Sequence, residues 1–437
     1  MRSQESVRWS VLKVFYALTV VLAGWIVLPA GALEVEGVQP FALDQPKVPA
    51  LLRPAGGGEP LASYSEIMGR DLFAFQCYLD TGSTRMILSR SDARTLNVKD
   101  AGKTVEDWGI SGTETFGVAL PYRLCVGDSG SDITNPDQFG HCGRYVVQLR
   151  QKDTDVLGAM PKDLTQSLTG GMGGMEGLFT VSVNVIGTPF LKDHVAVMDP
   201  RPVAGALKAL SGLTGAAGGQ DPAKMLDALL MMAQQGSGGT GRIRVDLRTR
   251  REQVEATRLN VPLSMRHVEE KDLPVSASAA PFVEGVVLRN GGREARADLL
   301  LDTGGAVSIL SPKVARKLGV DLDRPELTAP IMGIGGGGGE VLEGFWIDAM
   351  HLPTREREGL TYRRVPVFVA DLRYIQGTIG INMLAPSVYL DMDMEKMARN
   401  PLSIFAGMKT GPVPFRRVVV DLAGGRLGLE PGQAKSE

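Results

Sequence analysis

The chain has 437 residues, a formal net charge of −2 and no excess of basic residues, which excludes a nucleic-acid-binding protein driven by charge. Its length exceeds that of one ordinary domain, so at least two domains are expected. An apolar fraction of 43% is typical of a globular protein.

The N-terminus carries Arg and Lys residues and then an apolar run from Val14 to Ala32, which ends in the small-residue pattern Ala30-Gly31-Ala32. This order is typical of a secretory signal peptide cleaved after Ala32. The run is also close to the roughly 17 to 25 residues of a spanning helix, so an uncleaved membrane anchor is the alternative. Both interpretations predict an exported chain that is periplasmic, extracellular or tethered to a membrane.

The next segments lead to a turn that contains an aspartate. Residues 33–60 are rich in Pro and Gly and predict a linker, an edge strand or a small prosegment. In "YLDTGSTRMIL", residues 78–88, an apolar strand then leads to Asp80 in a Thr-Gly turn. We expect Gly82, and Gly304 in the second copy of this stretch described below, to supply a backbone conformation that other residues resist.

The three cysteines of the chain have different surroundings. Cys125 and Cys142 flank a turn-rich loop between two strand-like runs. In an exported chain they predict a disulfide that joins a hairpin and contributes about 3 kcal/mol to stability; two reduced thiols are the alternative. Cys77 lies in the strand before Asp80 and predicts a buried free thiol.

The Asp80 stretch returns 222 residues further along the chain. "LDTGSTRMILSRSDARTLNV", residues 79–98, aligns without a gap with "LDTGGAVSILSPKVARKLGV", residues 301–320, and eleven of the twenty positions are identical. Each copy predicts a strand, an aspartate turn, a second short strand and a short helix that begins after a serine. The chain is therefore expected to contain two related units.

The two copies continue with the same order of elements. Residues 108–120 and 332–347 each read as a strand, a Gly-rich turn and a strand, which predicts a β-hairpin. Residues 183–199 and 376–393 each contain Ile-Gly followed by a short turn and an apolar strand. Between the units, residues 201–240 hold an apolar helical segment at 222–235 within Gly-rich sequence, which predicts a helix packed on the body, a partner-binding helix or a lid.

These motifs resemble the aspartic proteases of the retropepsin and pepsin type. The resemblance covers about residues 65–200 and 280–430 and implies a mostly β, bilobal fold with two β-barrel lobes, an internal pseudo-twofold and few short helices. A hairpin in each half resembles retropepsins more than pepsins. The terminal run "VVVDLAGGRLGLEP" resembles the family's terminal hairpin.

The resemblance implies a role for each matching residue. Asp80 and Asp302 correspond to the catalytic pair, and the adjoining residues that support them are Thr81, Gly82, Ser83, Thr303 and Gly304. The hairpins correspond to flaps that close on substrate, with tips at Ile110, Ser111, Gly112, Ile334, Gly335 and Gly336. The turns beside the active site correspond to Ile186, Gly187, Ile379 and Gly380.

Some positions near the predicted site depart from the family pattern, and one of them allows two interpretations. Ser83 is positioned in sequence to donate its hydroxyl to Asp80, whereas Gly305 offers no hydroxyl to Asp302, which predicts weaker support there. Thr378 stands where the family has an apolar residue. Trp108 is interpreted either as an apolar lid or as a core residue.

A pair of carboxylates explains how such a site would hydrolyse a peptide bond. Two carboxyl groups about 3 Å apart share one proton because both cannot ionise. The ionised partner removes a proton from water, and the protonated partner polarises the substrate carbonyl. This mechanism requires no metal and no cofactor, so none is expected.

Two other motifs indicate different functions, and the evidence for each is weaker than the evidence for an aspartic protease. "GIGGGG" at residues 333–338 fits a dinucleotide-binding pattern, but a strand follows it where that motif needs a helix. "GDSGS" at residues 127–131 resembles a serine protease nucleophile segment, but all four histidines follow it, contrary to that family's order. The histidines show no metal-ligand spacing.

The resulting hypothesis is an exported aspartic endopeptidase. Its predicted parts are a signal peptide or anchor at 1–32, a first lobe at 33–200, an insertion and connection at 201–275, and a second lobe at 276–437. Its partner is a peptide or protein substrate and not nucleic acid, and a monomer with paired lobes is expected. The alternatives are a non-catalytic peptide-binding protein with the same fold and pairing of units between two chains.

Overall fold

A computed structural model of the chain describes residues 32–42, 45–65, 69–109, 112–155, 180–200, 243–267, 273–332, 339–356, 358–385, 388–390, 408–410 and 414–432. The predicted signal peptide or anchor, apart from Ala32, and the predicted helix at 222–235 lie outside these residues. In the described ranges no helix has the length and apolar character needed to cross a membrane.

Strands are the main regular elements of the described first half. In chain order they are β1 (Leu33–Val35), β2 (Lys47–Pro54), β3 (Ser63–Ser65), β4 (Arg70–Leu72), β5 (Ala74–Leu79), β6 (Met86–Leu88), β7 (Asp100–Gly109), β8 (Gly112–Ala119), β9 (Tyr122–Val126), β10 (His141–Tyr145), β11 (Gln148–Leu149), β12 (Thr154–Asp155), β13 (Thr180–Val181), β14 (Val185–Ile186) and β15 (His194–Pro200). Short helical elements interrupt them at α1 (Arg90–Thr95), a 3₁₀ turn at Pro136–Gln138 and α2 (Thr188–Leu191).

Strands also dominate the rest of the described chain. They are β16 (Ile243–Thr249), β17 (Leu259–Pro262), β18 (Ser264–Arg266), β19 (Ala280–Asn290), β20 (Arg293–Asp302), β21 (Ile309–Leu310), β22 (Leu327–Met332), β23 (Gly339–Leu352), β24 (Leu360–Val369), β25 (Gly377–Gly380), β26 (Val388–Leu390), β27 (Met408–Thr410), β28 (Phe415–Asp421) and β29 (Arg426–Pro431). The helical elements here are α3 (Pro312–Lys317) and a 3₁₀ turn at Ile381–Met383. The predicted fold class, mostly β and bilobal with few short helices, is confirmed.

Each half of the chain forms its own large sheet. The first sheet has the order β10-β9-β2-β5-β14-β6-β11-β8-β7. The second has the order β1-β24-β21-β25-β20-β19-β23-β22, and an additional pairing between β23 and β24 closes six of its strands into a barrel. The β19–β20 hairpin turns at Gly291 and Gly292, whose φ values of 53° and 77° suit a tight turn with left-handed residues.

A third sheet connects the two halves. Its order is β16-β15-β28-β29-β17, so the C-terminal hairpin lies between strands that precede the second lobe in sequence. Ala196 of β15 pairs with Val420 of β28. This arrangement matches the predicted terminal hairpin and joins the two lobes within one chain.

The segment before β2 lies across both lobes. Residues 33–35 pair in parallel with β24, at the edge of the second sheet, although the sequence assigned them to the first lobe. The backbone then enters the first sheet as β2, which pairs with β5 and β9. Of the three sequence interpretations of residues 33–60, an edge strand describes residues 33–35 and a central strand describes Lys47–Pro54.

The two active-site regions have the same strand pairing. In the first half, β14 lies between β5 in parallel and β6 in antiparallel orientation. In the second half, β25 lies in the same way between β20 and β21. A large apolar core that includes Leu79, Ile186, Leu301 and Ile379 supports both regions. The repeated sequence therefore produces a repeated framework, and each framework carries one of the two aspartates.

Candidate active site

Asp80 and Asp302 lie at the ends of β5 and β20, where each chain segment leaves its sheet in a tight turn. The Asp80 N–H donates to the Ile186 carbonyl at 3.0 Å, which ties the turn to β14. The Asp80 carboxylate accepts hydrogen bonds from the N–H groups of Gly82 at 2.8 Å and Ser83 at 3.2 Å. The turn therefore holds one carboxylate oxygen in a fixed position.

The two threonines of the repeated triplets lock the lobes together. The Thr81 N–H donates to the Thr303 hydroxyl oxygen, and the Thr303 N–H donates to the Thr81 hydroxyl oxygen, each at 3.0 Å. The Thr81 hydroxyl then donates to the Leu301 carbonyl at 2.6 Å, and the Thr303 hydroxyl donates to the Leu79 carbonyl at 2.7 Å. Both threonines are buried. These four matched bonds bring the two aspartates to one point within a single chain.

The glycines of the triplets are required by close packing and not by backbone conformation. Neither Gly82 nor Gly304 has a φ in the left-handed region, so the sequence argument for these glycines was wrong. A Cβ on Gly82 would lie 2.6 Å from Asp302 Oδ1, and a Cβ on Gly304 would lie 2.3 Å from Asp80 Cγ. Each glycine therefore leaves the space that the opposite carboxyl group occupies.

The two carboxyl groups are close enough to hydrogen-bond each other, and both are partly buried. Burial raises the pKa of Asp80, while hydrogen bonds from Asp302 and from backbone N–H groups oppose that rise. Burial, reinforced by the neighbouring charge of Asp80, holds the pKa of Asp302 well above its ordinary range. The two carboxyl groups therefore titrate as a pair, and one proton is shared between them over the pH range that separates their two titration steps.

The Ile-Gly turns pack directly beneath the active-site loops. A Cβ on Gly187 would lie 2.1 Å from the Arg85 carbonyl oxygen, and a Cβ on Gly380 would lie 2.2 Å from the Val307 carbonyl oxygen. The N–H that follows Gly187 donates to the Ser83 carbonyl at 2.9 Å, and the N–H that follows Gly380 donates to the Gly305 carbonyl at 2.8 Å. Only glycine allows this approach.

Ile186 and Ile379, which precede these glycines, are both buried. They fill the core beneath the two loops as members of the same apolar cluster. Thr378, which replaces an apolar residue of the family pattern, is also buried. Its hydroxyl has no hydrogen-bond partner in the described part of the chain.

The support around each aspartate differs from the sequence expectation. The Ser83 hydroxyl donates to the Arg85 carbonyl at 3.2 Å, and the Ser83 N–H instead reaches Asp80. The Gly305 N–H faces both the main-chain carbonyl of Asp302, at 3.2 Å, and the Asp302 carboxylate. Asp302 is therefore supported by backbone donors without any hydroxyl from position 305.

The hairpins that the resemblance matches to flaps have tips that lie mostly outside the described residues. Gly112 begins β8 with a φ of 110°, a conformation that favours glycine. Ile110, Ser111, Ile334, Gly335 and Gly336 lie outside the described residues.

Trp108, near the tip of the first hairpin, packs against an apolar cluster of the second half that includes Val307 and Phe368. The Arg373 guanidinium carbon lies 5.4 Å from the centre of the Trp108 ring, and Arg373 Nη2 donates to the Thr113 hydroxyl at 3.1 Å. The tryptophan therefore connects the first hairpin to the second lobe.

The three cysteines and the "GDSGS" loop contribute to the packing of the first lobe. Cys125 and Cys142 form a disulfide across β9 and β10, and Cys77 is a buried free thiol whose pKa is raised by burial. In the "GDSGS" loop, Asp128 accepts a hydrogen bond from the backbone of β16. Within the described ranges, no group of three His, Cys, Asp or Glu side chains has metal-binding geometry.

Three side chains were not identified from the sequence, although each makes a contact in or beside the site region. The Gln45 amide donates to the Gly304 carbonyl from a position 259 residues away. Arg85 forms an ion pair with Asp107 at 3.3 Å, and Arg150 forms one with Glu114 at 3.0 Å. An arginine in an otherwise apolar strand region is the one signal that could have suggested a buried ion pair, and its partner is not evident from spacing.

The second half of the chain matches a known protein family. Residues 283–383 match the family model described as aspartyl protease. A retropepsin-like aspartic protease from Rickettsia conorii is similar at 17% sequence identity over 23% of this chain and 76% of that chain, with a TM-score of 0.17. No curated protein matches the chain. Residues 283–383 of the chain are therefore similar to the aspartyl protease family.

Proposed function

We propose that the chain is an aspartic endopeptidase in which Asp80 and Asp302 activate one water molecule for attack on a peptide bond. The observation that carries this proposal is the threonine lock, which pairs the two aspartates across the lobes with matched bonds on both sides. A lone aspartate in a turn needs no such lock. Two carboxyl groups that share a proton are suited to acid and base catalysis in the same step.

The proposed reaction assigns different first roles to the two groups. Ionised Asp80 takes a proton from the water molecule while the oxygen of that water attacks the carbonyl carbon of the peptide bond. Protonated Asp302 donates a hydrogen bond, and then its proton, to the carbonyl oxygen. In the second half of the reaction, Asp80 returns its proton to the leaving nitrogen and Asp302 recovers a proton from the tetrahedral diol, so the pair ends as it began.

The pKa directions imply a pH range for this activity. Cleavage requires one proton on the pair, so the rate falls at high pH when Asp302 loses its proton. Because the pKa of Asp302 is held well above its ordinary range, this upper limit lies above the pKa of about 3.9 that a free aspartate shows. The rate also falls at low pH, when Asp80 becomes protonated.

The test is cleavage of a mixed peptide library between pH 3 and 7 by the purified protein and by Asp80→Asn and Asp302→Asn. We expect both substitutions to reduce the rate by at least about a thousandfold while the proteins stay folded, because each removes half of the acid–base pair. A matched control is Asp132→Asn, since Asp132 also accepts the N–H two residues ahead, in an exposed turn.

The outcomes separate the two function classes. Loss of cleavage in both site variants, with normal rates in Asp132→Asn, supports the endopeptidase. Cleavage that survives either site substitution contradicts the shared pair. Peptide binding without cleavage at any pH favours the alternative hypothesis, a non-catalytic peptide-binding protein with the same fold.

We also propose that the protein is exported. The N-terminal sequence pattern motivates this, and the Cys125–Cys142 disulfide supports it, because disulfides persist in oxidising compartments. Thiol labelling of the protein isolated from its native cells distinguishes the cases. One reactive thiol after denaturation agrees with export, and three agree with a reducing compartment.

A further inference from the structure

Residues 33–42 and 45–46, here called the crossing segment, run from the second lobe to the first and pass the active-site region. At its start, the Leu33 N–H donates to the Gly359 carbonyl at 2.8 Å, and β1 pairs with β24. At its end, the Pro46 carbonyl accepts from the Leu79 N–H at 2.9 Å, one residue before Asp80. The segment therefore connects the outer edge of the second lobe with the strand that carries the first aspartate.

Several contacts fix this crossing segment against the second lobe. The buried Asn382 amide donates to the Gln39 carbonyl at 3.1 Å, while its oxygen accepts from the Ser308 hydroxyl at 3.0 Å. Phe41 packs against the apolar cluster that contains Val307. The Ala42 N–H donates to the carbonyl of residue 306 at 2.8 Å. These bonds place the segment beside the second active-site loop without any contribution from Gln45.

Gln45 makes the contact closest to the catalytic pair. Its side-chain amide donates a hydrogen bond to the Gly304 carbonyl oxygen. That carbonyl belongs to the same peptide group as the Gly305 N–H, which donates to the Asp302 main-chain carbonyl at 3.2 Å. Gly305 also lies against the Asp302 carboxylate, because a Cβ on Gly305 would be 2.5 Å from Asp302 Oδ2, and its N–H lowers the pKa of that carboxyl group. A planar peptide group turns as one unit, so a donor that holds its carbonyl also holds the direction of its N–H. The hydrogen bond further polarises the peptide group and strengthens its N–H as a donor.

The first active-site loop has a related brace without this amide. There, the Ser278 N–H donates to the Thr84 carbonyl at 3.0 Å, which corresponds to the Ala42 contact with residue 306. Ser83 stands where the second loop has Gly305, and its hydroxyl donates to a carbonyl within its own loop. Gln45 thus gives the second loop a side-chain donor to the Gly304 carbonyl, whereas Ser83 gives the first loop a side-chain donor to the Arg85 carbonyl.

We propose that Gln45 is a positioning residue for Asp302, holding the Gly304–Gly305 peptide so that its N–H remains directed at the carboxylate. This inference rests on the proposed endopeptidase function for its kinetic consequences. It assigns Gln45 to the assembled active site, in contrast to a prosegment that is discarded.

The first experiment substitutes Gln45→Met, which keeps the volume and removes the donor, and follows kcat and KM across the pH range. We expect kcat to fall about threefold to tenfold, as expected for one lost hydrogen bond, with KM changed by less than about twofold. We also expect the upper limb of the pH profile to move to higher pH, because an Asp302 with a weaker donor releases its proton later.

The matched control is Gln39→Met on the same segment. The Gln39 side chain is exposed at the amide and donates to the nearby Gly37 carbonyl, whereas its contact with Asn382 uses the main-chain oxygen. This variant is expected to keep both kcat and the pH profile of the original protein. A general weakening of the segment would change both variants alike and would overturn the positioning role.

A second variant, Gln45→Glu, makes the contact with Gly304 depend on pH. The introduced carboxyl group can donate to the Gly304 carbonyl when it is protonated, whereas the ionised carboxylate cannot. We therefore expect the kcat of this variant, relative to the original protein, to recover as the pH falls below about 4.3, the ordinary glutamate pKa. A constant ratio at all pH values would overturn the proposal.

A measurement without activity separates this proposal from the proposed function. Carboxyl-carbon NMR titration of the folded protein reports the aspartate pair directly, including in a protein that cleaves nothing. An upward shift of the higher titration step in Gln45→Met, but not in Gln39→Met, supports the positioning role. Superimposed titration curves would overturn it even if peptide cleavage is observed.

Discussion

The hairpins of both lobes pack apolar residues into a buried cluster, and the first hairpin is anchored in addition by two buried ion pairs. In the first, β7 and β8 are held by ion pairs from Arg85 to Asp107 at 3.3 Å and from Arg150 to Glu114 at 3.0 Å. Both arginine side chains are almost fully inaccessible to solvent. Arg150 contacts Glu114 through two nitrogen atoms, which fixes the direction as well as the distance of the contact.

The second hairpin is held by apolar packing. Ala329 and Ile331 of β22 and Leu342 of β23 pack with Val307 in one buried cluster. Val307 occupies the repeat position that Arg85 occupies in the first half. The same framework therefore tolerates a charged anchor on one side and an apolar anchor on the other. The geometry of the aspartate turns depends on backbone bonds that both halves keep, and the hairpin anchors were free to diverge.

The largest expected effect tests the part that the two halves share. Gly82→Ala and Gly304→Ala are each expected to reduce peptide cleavage by at least about a hundredfold, because the added Cβ displaces the opposite carboxyl group. Gly140→Ala serves as the control, since a Cβ there meets no atom within 4 Å. Steady-state kinetics checks the result. Unequal losses of cleavage in the two site variants would show that the two aspartate turns do not contribute equally to the aspartate pair.

The next prediction separates the two anchors. Arg150→Met leaves the Glu114 carboxylate buried without this ion pair and is expected to lower the free energy of unfolding by about 3–5 kcal/mol. Leu342→Ala is expected to lower it by about 2–5 kcal/mol through lost packing. Amide hydrogen exchange should rise mainly in β7 and β8 for the first variant and mainly in β22 and β23 for the second.

The control for the ion pair is Arg244→Met. Arg244 pairs with Asp246 at 3.0 Å, but 55% of its side chain is exposed. We expect a change of less than about 1 kcal/mol, because water screens an exposed pair. Equal losses in Arg150→Met and Arg244→Met would contradict the buried-anchor explanation.

A smaller effect concerns the pH dependence of stability. Since the folded-state pKa of Asp302 is raised, its contribution favours folding below the unfolded pKa of about 3.9 and is lost as pH rises through the folded pKa. Asp302→Asn is therefore expected to be more stable than the original protein at pH 7 and equally stable near pH 3. The gain is roughly 1.4 kcal/mol for each unit by which the pKa is raised.

Asp298 in the same lobe supplies a comparison of opposite sign. Its pKa is lowered by the Gly285 N–H and by Arg266, so its contribution is present above the unfolded pKa and is lost as pH falls through the folded pKa. Asp298→Asn should be less stable than the original protein at pH 7 and equally stable at low pH. Thermal unfolding at several pH values measures both variants, and slopes of the same sign would contradict the assignment.

The smallest predicted effect concerns the contact between the first hairpin and the second lobe. Arg373→Ala removes an exposed contact with the Trp108 ring, which is expected to contribute about 0.5–1 kcal/mol. Amide exchange should increase at the β7–β8 end near Trp108. Arg364→Ala is the matched control, because Arg364 lies 4.7 Å from the Trp346 ring within the second lobe. Equal exchange in both variants would show that the contact does not restrain the hairpin.

Much of the fold was predictable because it repeats in the sequence. The aspartate turns, the short helices after Ser89 and Ser311, the hairpins and the Ile-Gly turns follow from local patterns that occur twice. Alternation of apolar residues and turn residues determines such elements over short distances. The fold class predicted from the sequence was therefore correct, and residues 283–383 match the aspartyl protease family that the resemblance indicated.

The functions of particular residues near the site were less predictable. The sequence explained Gly82 and Gly304 by backbone freedom, whereas their packing against the opposite aspartates is a contact between lobes. Ser83 was expected to donate its hydroxyl to Asp80, and it reaches Asp80 through its N–H. In each case the residue was correctly singled out, but the atom in contact depended on how the lobes face each other.

The sequence by itself determined the local elements, the two aspartate turns and the cysteine pair that joins a hairpin. Only the tertiary structure decided that the C-terminal hairpin joins both lobes, that β1 pairs in the second sheet while β2 pairs in the first, and that Gln45 reaches Gly304. The physical reason is distance along the chain. Local patterns report which residues share a strand or a turn, whereas contacts between residues 259 positions apart depend on the path of the folded backbone.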